Sequence, residues 1–276
     1  MTYQLAGVMG WPVGHSRSPI IHSHWMSELG LHGAYVLLPV VPEKLEQALR
    51  ALPLLGFCGC NLTIPHKVAA LSIVDRIDPL AQRIGAINCI VVEGDGSLSG
   101  SNTDAFGYIQ SLLDAQPAWQ ADAGPALVMG AGGAARAVIA GLLDSGTKNI
   151  RLTNRSFDNT HALVAAFGPC VEPVNWNERH TAVSGASLVV NTTSLGMQGQ
   201  PALDLDLTDL DPLALVSDVI YVPQETPLLA AARLRGNPTV NGLGMLLNQA
   251  RPAFKAWFGA MPKISDALLA KMHASF

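Results

Sequence analysis

Residues 126–143, "ALVMGAGGAARAVIAGLL", constrain the fold more than any other stretch of the chain. A short apolar run that suits a strand meets Gly130, Gly132 and Ala135 in a G-x-G-x-x-A pattern, and a small-residue helix follows. The first glycine permits a tight turn and the second lets a pyrophosphate approach the backbone. The small third residue lets the helix pack close on the sheet. The exposed amides of the helix N-terminus then attract an anion. Such a unit needs parallel neighbours, and apolar runs that fit them recur downstream as "NIRLTN" (149–154), "SLVVNTT" (187–193) and "LVSDVIY" (215–221). Continuous apolar runs of this kind suit strands buried on both faces. A late helix is expected in "TPLLAAARLRG" (226–236), and a helical region from about Leu243.

A Pro- and Gly-bearing connector, "AQPAWQADAGP" (115–125), precedes this unit, and a different alternation of strands and helices precedes the connector. "LAGVMG" (5–10), "AYVLLPV" (34–40) and "FCGCNLTI" (57–64) read as strands, and "PEKLEQALRAL" (42–52) as an amphipathic helix. "INCIVVEGDGSLSG" (87–100) reads as a hairpin turning at Asp95-Gly96. Ser18 is placed to cap a helix with Pro19 at its first position, Ile21, Trp25 and Leu29 on one stripe, and Gly30 as its stop. Two α/β units are expected.

Composition narrows the partners. The net charge of −4 offers no basic surplus to neutralise phosphates, so nucleic acid is not an expected partner. The apolar window 126–143 is broken by glycines and Arg136, so no membrane span is expected. The N-terminus lacks the basic region and cleavage site of a secretory signal, so none is expected. Cys58, Cys60, Cys89 and Cys170 form no disulfide or C-x-x-C pattern, which favours a reducing, cytoplasmic setting. Cys58 and Cys60 alternate along one strand and are expected on one core-facing side. His22 and His24, two apart on a helix, point to different faces, and no metal site is expected.

The tip of the second Rossmann-type strand bears on the cofactor. An Asp or Glu there marks NAD by accepting the ribose hydroxyls. Here Asn154, Arg155 and Ser156 occupy it, and the planar fork of Arg155 suits the 2′-phosphate of NADP. A solvated surface Arg is the ordinary alternative. No Tyr has a Lys four residues later, so the proton donor of short-chain dehydrogenases is missing. Strand and loop ends of the first unit offer Asn61, Thr63, Lys67, Asn88, Asn102 and Asp104 instead. Taken singly these are a solvated lysine, turn residues and a helix cap. Taken together they supply an ammonium, a carboxylate and neutral hydrogen-bonders where α/β folds bind ligands, and Lys with Asp makes a proton-transfer pair. His66 is an alternative donor by its neutral pKa.

"GHSRSP", "NLTIPHK", "GAINCI", "NTDAFG", "GAGGAAR", "TNRS", "NTTSLGM", "YVPQETPLL" and "GLGMLLNQA" follow one another in the order and approximate spacing of the shikimate dehydrogenase family. The chain resembles that family from about Gly10 to Ala250. The resemblance implies a substrate-binding domain at 1–104, a Rossmann-like NADP-binding domain at 105–241, and C-terminal helices at 242–276 that return to the first domain. It implies reversible reduction of 3-dehydroshikimate to shikimate with NADPH, in aromatic amino-acid biosynthesis, by a monomer or homodimer. Ser16 and Ser18 would hold the substrate carboxylate. Thr63, Asn88, Asp104, Tyr221 and Gln249 would contact ring hydroxyls. Lys67 would be the acid/base, oriented by Asp104. Gly130, Ala131, Gly132, Gly133, Ala134, the segment Asn154, Arg155, Ser156 to Asn159, Val219 and Gly242 would line the cofactor. N-R-S replaces the family's usual N-R-T, and Asp158 stands where a second basic residue would strengthen NADP selectivity. A quinate/shikimate dehydrogenase with relaxed NAD/NADP use and a non-catalytic sensor on the same fold remain as alternatives.

Overall fold

The computed structural model describes residues 3–276. The chain divides into two compact units, one running to Thr103 and resuming at Leu247–Phe276, the other Asp104–Leu246. Asp104, expected to end the first domain, thus opens the second unit, and the C-terminal return starts at Leu247.

The first unit is built on a mixed sheet of β1 (Gln4–Gly10), β2 (Gly33–Pro39), β3 (Phe57–Leu62), β4 (Arg76–Ile77), β5 (Cys89–Val92) and β6 (Leu98–Ser101), in the order β2-β1-β3-β5-β6-β4. β1 runs parallel to both β2 and β3, whereas β5 runs antiparallel to β3 and β6. The β5–β6 hairpin turns where expected, with Gly96 at φ 81°, a conformation that only a residue without Cβ adopts freely. One face is sealed by Leu45, Leu49, Leu52, Leu62, Ile87, Ile90 and Leu98.

The β1–β3 register shifts between Leu5 and Ala6, where Phe57 and Gly59 on β3 face consecutive residues. Cys58 is the extra residue of this bulge, half-buried, while Cys60 is fully buried. The two cysteines therefore do not share one core face as the alternation suggests, because a bulge breaks period-two side-chain alternation. Gly59 leaves room for the indole of Trp257, whose Nε1 donates to the Ile90 carbonyl at 2.8 Å.

The first helix, Ser18–Glu28, carries a second correction. Arg17 is its N-cap residue and no side chain caps it, so Ser18 lies inside the helix. Ser18 is nonetheless buried at the start of that helix. Ile21 and Trp25 are buried as expected, but Leu29, the C-cap residue, is exposed.

The second unit is a parallel sheet of β7 (Ala126–Met129), β8 (Ile150–Thr153), β9 (Val171–Val174), β10 (Leu188–Asn191), β11 (Leu215–Asp218) and β12 (Thr239–Val240). Its order, β12-β11-β10-β7-β8-β9, is that of a doubly wound dinucleotide-binding fold. β7, β10 and β11 are buried along their whole length, as strands covered on both faces must be. Two apolar clusters result. One joins Val128, Val138, Leu142, Leu152 and Val190, the other Leu127, Met129, Val189, Val216 and Leu229.

Candidate active site

In the first unit the polar groups gather at the carboxyl ends of β1 and β3 and the amino end of β5. The loop after β1 holds Ser16, half-buried, and Ser18, buried, with the Ser18 amide donating to Ser16 Oγ at 3.3 Å. The Tyr35 phenol donates to Asn61 Oδ1 at 2.7 Å, and Asn61 Nδ2 donates to the Asn88 carbonyl at 3.0 Å. Asn88 Nδ2 reaches Thr103 Oγ1 at 3.0 Å and Gln249 Oε1 at 3.4 Å, while the Thr103 amide donates to Asn88 Oδ1 at 2.8 Å. Ser16, Ser18, Asn88 and Gln249 are thus drawn into one unit, although Asn88 and Gln249 lie 161 residues apart in sequence.

Thr63 and Lys67 follow β3 and are both half-buried, with the Lys67 carbonyl accepting from the Ile87 amide at 2.8 Å. His66 is buried, and its Nε2 donates to the Val40 carbonyl at 2.8 Å. That bond removes His66 as a proton donor, since its ring is turned into the fold.

In the second unit Asp104 is buried and opens the helix Asp104–Ala115. Gly130 has φ 111°, and a Cβ there would lie 2.5 Å from Thr192 Oγ1. Gly132 is the N-cap of the helix Gly133–Asp144, and Cβ atoms on Gly132 and Gly133 would meet open space. Ala131 and Ala134 are half-buried beside them, and Ala135 is buried against the sheet. The turn therefore leaves bare amides facing outward, which suits a pyrophosphate. At the tip of β8, Asn154 Nδ2 donates to the Ser156 carbonyl at 3.0 Å, and Arg155 and Ser156 are exposed. Those residues fit a phosphorylated ribose, with a cation and a hydroxyl and no acid at the strand tip.

Val219 and Gly242 stand together. The Gly242 amide donates to the Ile220 carbonyl at 2.9 Å, and a side chain on Gly242 would overlap the Val219 carbonyl. Just before Val219, buried Asp218 accepts from the Ile220 amide at 3.0 Å, Thr226 Oγ1 at 2.8 Å and Asn191 Nδ2 at 3.1 Å. Burial pushes its carboxyl up to about 6, against those three donors. Asn191 Nδ2 also donates to the Leu195 carbonyl at 2.9 Å. Asp218 thereby ties the loops after β10 and β11 to the cap of the helix Pro227–Leu234, and it holds the loop that carries Val219 and half-buried Tyr221. The sequence signal for Asp218 was an acid closing an otherwise apolar strand. Tyr35 gave no signal, since a Tyr in a strand is ordinary core.

Among the described residues no group of His, Cys, Asp and Glu is placed to hold a metal, and no helix is long and apolar enough to cross a membrane.

The model of the shikimate dehydrogenase substrate-binding domain matches residues 8–90. Shikimate dehydrogenase (NADP+) of Paramagnetospirillum magneticum is 54% identical over 267 residues, 97% of each chain. The chain belongs to the shikimate dehydrogenase family. Family structures agree in fold along nearly the whole chain. That of the Thermus thermophilus shikimate 5-dehydrogenase, in complex with NADP(H) and shikimate, superposes with a TM-score of 0.88 at 34% identity, covering 99% of this chain and 100% of that one. Quinate dehydrogenase of Corynebacterium glutamicum, in complex with NAD, reaches a TM-score of 0.89 at 29% identity, covering 99% and 98%. Fold similarity alone therefore does not separate the two substrates within the family.

Proposed function

We infer that Lys67 moves the proton in the reaction of this family, and that Ser16 and Ser18 anchor the substrate's carboxylate. The chain is an oxidoreductase that interconverts 3-dehydroshikimate and shikimate with NADP. The observation that carries the assignment is the placement of Lys67 one turn beyond β3, in the unit that also gathers Ser18, Asn88 and Gln249. A carboxylate against the two serine hydroxyls would point the ring toward Asn88 and Gln249, whose amides offer both donors and acceptors to vicinal hydroxyls. Thr63 and Tyr221 add hydroxyls, and Asp104 accepts from a ring hydroxyl. Lys67 gives its proton to the alkoxide that develops as the ketone is reduced, and takes it back in the reverse direction.

NADP, when bound, supplies the hydride. The amides of Gly132 and Gly133 and the Arg155 guanidinium are the groups to hold its phosphates, and Ala131, Ala134, Asn154, Ser156, Val219 and Gly242 complete the lining. Four free cysteines suit a reducing compartment, and the protein is read as a cytoplasmic monomer or homodimer.

Lys67→Ala tests the central role. Loss of an acid/base lowers kcat by about 10²- to 10⁴-fold, with KM for shikimate changed far less. A variant that keeps kcat within a few-fold of wild type would remove Lys67 from the mechanism.

A further inference from the structure

Burying a carboxylate is costly unless donors surround it. Asp218, 1% exposed at the end of β11, has both oxygens engaged. Oδ1 accepts from the Ile220 amide at 3.0 Å and Oδ2 from Thr226 Oγ1 at 2.8 Å. Asn191 Nδ2 lies across the two, at 3.2 and 3.1 Å. All of these groups donate, so the site is built for an anion. Burial lifts the carboxyl to about 6, and at neutral pH the anion still prevails.

Asn191 is not free to turn its amide over. Its Oδ1 accepts from the Thr193 amide at 3.0 Å and from Thr193 Oγ1 at 2.7 Å, which leaves Nδ2 as the end that faces Asp218. The same nitrogen donates to the Leu195 carbonyl at 2.9 Å. The loop after β10 is so fixed to the loop after β11, and the Gln198 amide adds a direct bond to the Val222 carbonyl at 3.2 Å. The second loop is also held by the Gly242 amide on the Ile220 carbonyl and by Asn241 Nδ2 on the Gln224 carbonyl at 3.0 Å. Val219 sits among these ties. Strand order gives them a use. β10 and β11 lie on one side of β7, and β8 on the other. With a pyrophosphate at the glycine turn after β7 and a 2′-phosphate at the tip of β8, the nicotinamide half of NADP would extend over the ends of β10 and β11.

We propose that Asp218 is a positioning residue for the nicotinamide half of NADP, locking the loops after β10 and β11 into the shape in which Val219 meets it. The proposal rests on Val219 and Gly242 as cofactor lining. Asp218 is buried with both oxygens engaged, so its effect travels through Val219 and spares the adenosine half.

Calorimetric titration of the full chain with NADP+ and with adenosine 2′,5′-bisphosphate tests this, because the second ligand ends short of the nicotinamide. Asp218→Asn keeps the side-chain shape but sets an NH2 group against that of Asn191. It is expected to raise Kd for NADP+ about 3- to 10-fold, as for a loop that holds its binding geometry only about a tenth to a third of the time, with Kd for the bisphosphate within about twofold. Thr226→Val removes one donor and leaves the carboxylate its others. It should show the same selectivity at about 2- to 4-fold, and it carries the test where the Asn variant does not fold. Thr226→Ser, which keeps the hydroxyl, should match wild type. Asp218→Asn and Thr226→Val will both lower the thermal midpoint, but a general loosening would weaken the two ligands alike. Val219→Ala tests the lining itself and should also weaken NADP+ alone. Equal losses for the two ligands in Asp218→Asn and Thr226→Val, or none, overturn the proposal. If Val219→Ala separates the ligands and neither of those variants does, the role of Asp218 alone fails. If Val219→Ala does not separate them, the lining assignment fails, and the proposal with it.

Discussion

His22→Phe should gain stability relative to wild type as pH falls. The His22 ring is fully buried among Trp25, Tyr35, Phe254 and Trp257, and neither of its nitrogens has a hydrogen-bond partner. Burial lowers its pKa from 6.5 to about 3. A base whose folded pKa lies below its unfolded value costs nothing to fold above the unfolded pKa. Below it the unfolded chain takes up a proton that the folded chain refuses, so stability is lost as pH falls from about 6.5 toward 3. At pH 5.5, one unit below the unfolded value, that loss is about 1.4 kcal/mol, and at pH 7.5 it is close to zero. Phenylalanine removes the titration. It also removes two unpartnered nitrogens, worth about 1–3 kcal/mol, and adds bulk that can cost a similar amount. The sign of the difference at pH 7.5 therefore depends on fit, but its growth of about 1.4 kcal/mol between pH 7.5 and 5.5 does not. Other titrating groups are common to both proteins and cancel. Urea unfolding followed by tryptophan fluorescence, to which Trp25 and Trp257 contribute, measures it. Parallel stability curves over that range would show the imidazole accepting a proton in the folded state, and would refute the reasoning.

Three further outcomes are expected. Arg155→Ala should raise KM for NADP+ about tenfold or more, the scale of a lost charge-assisted phosphate contact, with NAD+ kinetics nearly unchanged; equal losses with both cofactors would assign Arg155 to the adenine or the fold. Quinate carries an extra hydroxyl on the carbon that bears the carboxylate. That hydroxyl must fit beside Ser16 and Ser18, where burial without a partner costs about 1–3 kcal/mol, so kcat/KM for shikimate should exceed that for quinate at least about tenfold, and comparable efficiencies would favour a quinate/shikimate enzyme. Gly242→Ala must displace the Val219 backbone, so thermal unfolding should report a loss of about 1–3 kcal/mol; an unchanged midpoint would mean the loop is free to move.

The frame of the molecule was legible because its causes are local. Four-residue apolar runs bounded by Gly, Asn and Pro specify buried parallel strands, and the G-x-G-x-x-A turn specifies the strand–helix pair at the centre of their order. Asp95-Gly96 specifies the β5–β6 turn in the same way. The departures have causes that lie one strand away. Cys58 obeys the alternation, yet the β1–β3 register shift takes it out of the core. Tyr35 pairs with Ala6 on one side of β1, and Asn61 with Val8 on the other, so their hydrogen bond reaches across a strand that neither belongs to. No spacing rule along the chain encodes such a contact, since it needs the order β2-β1-β3 before it exists. Asp218 is the same case in the second unit, with donors from the ends of β10 and β11 and from a helix cap. The resemblance to the family supplied the residues proposed to meet substrate. The residues that hold those in register had to come from the topology, and they are where substitutions should separate binding from folding.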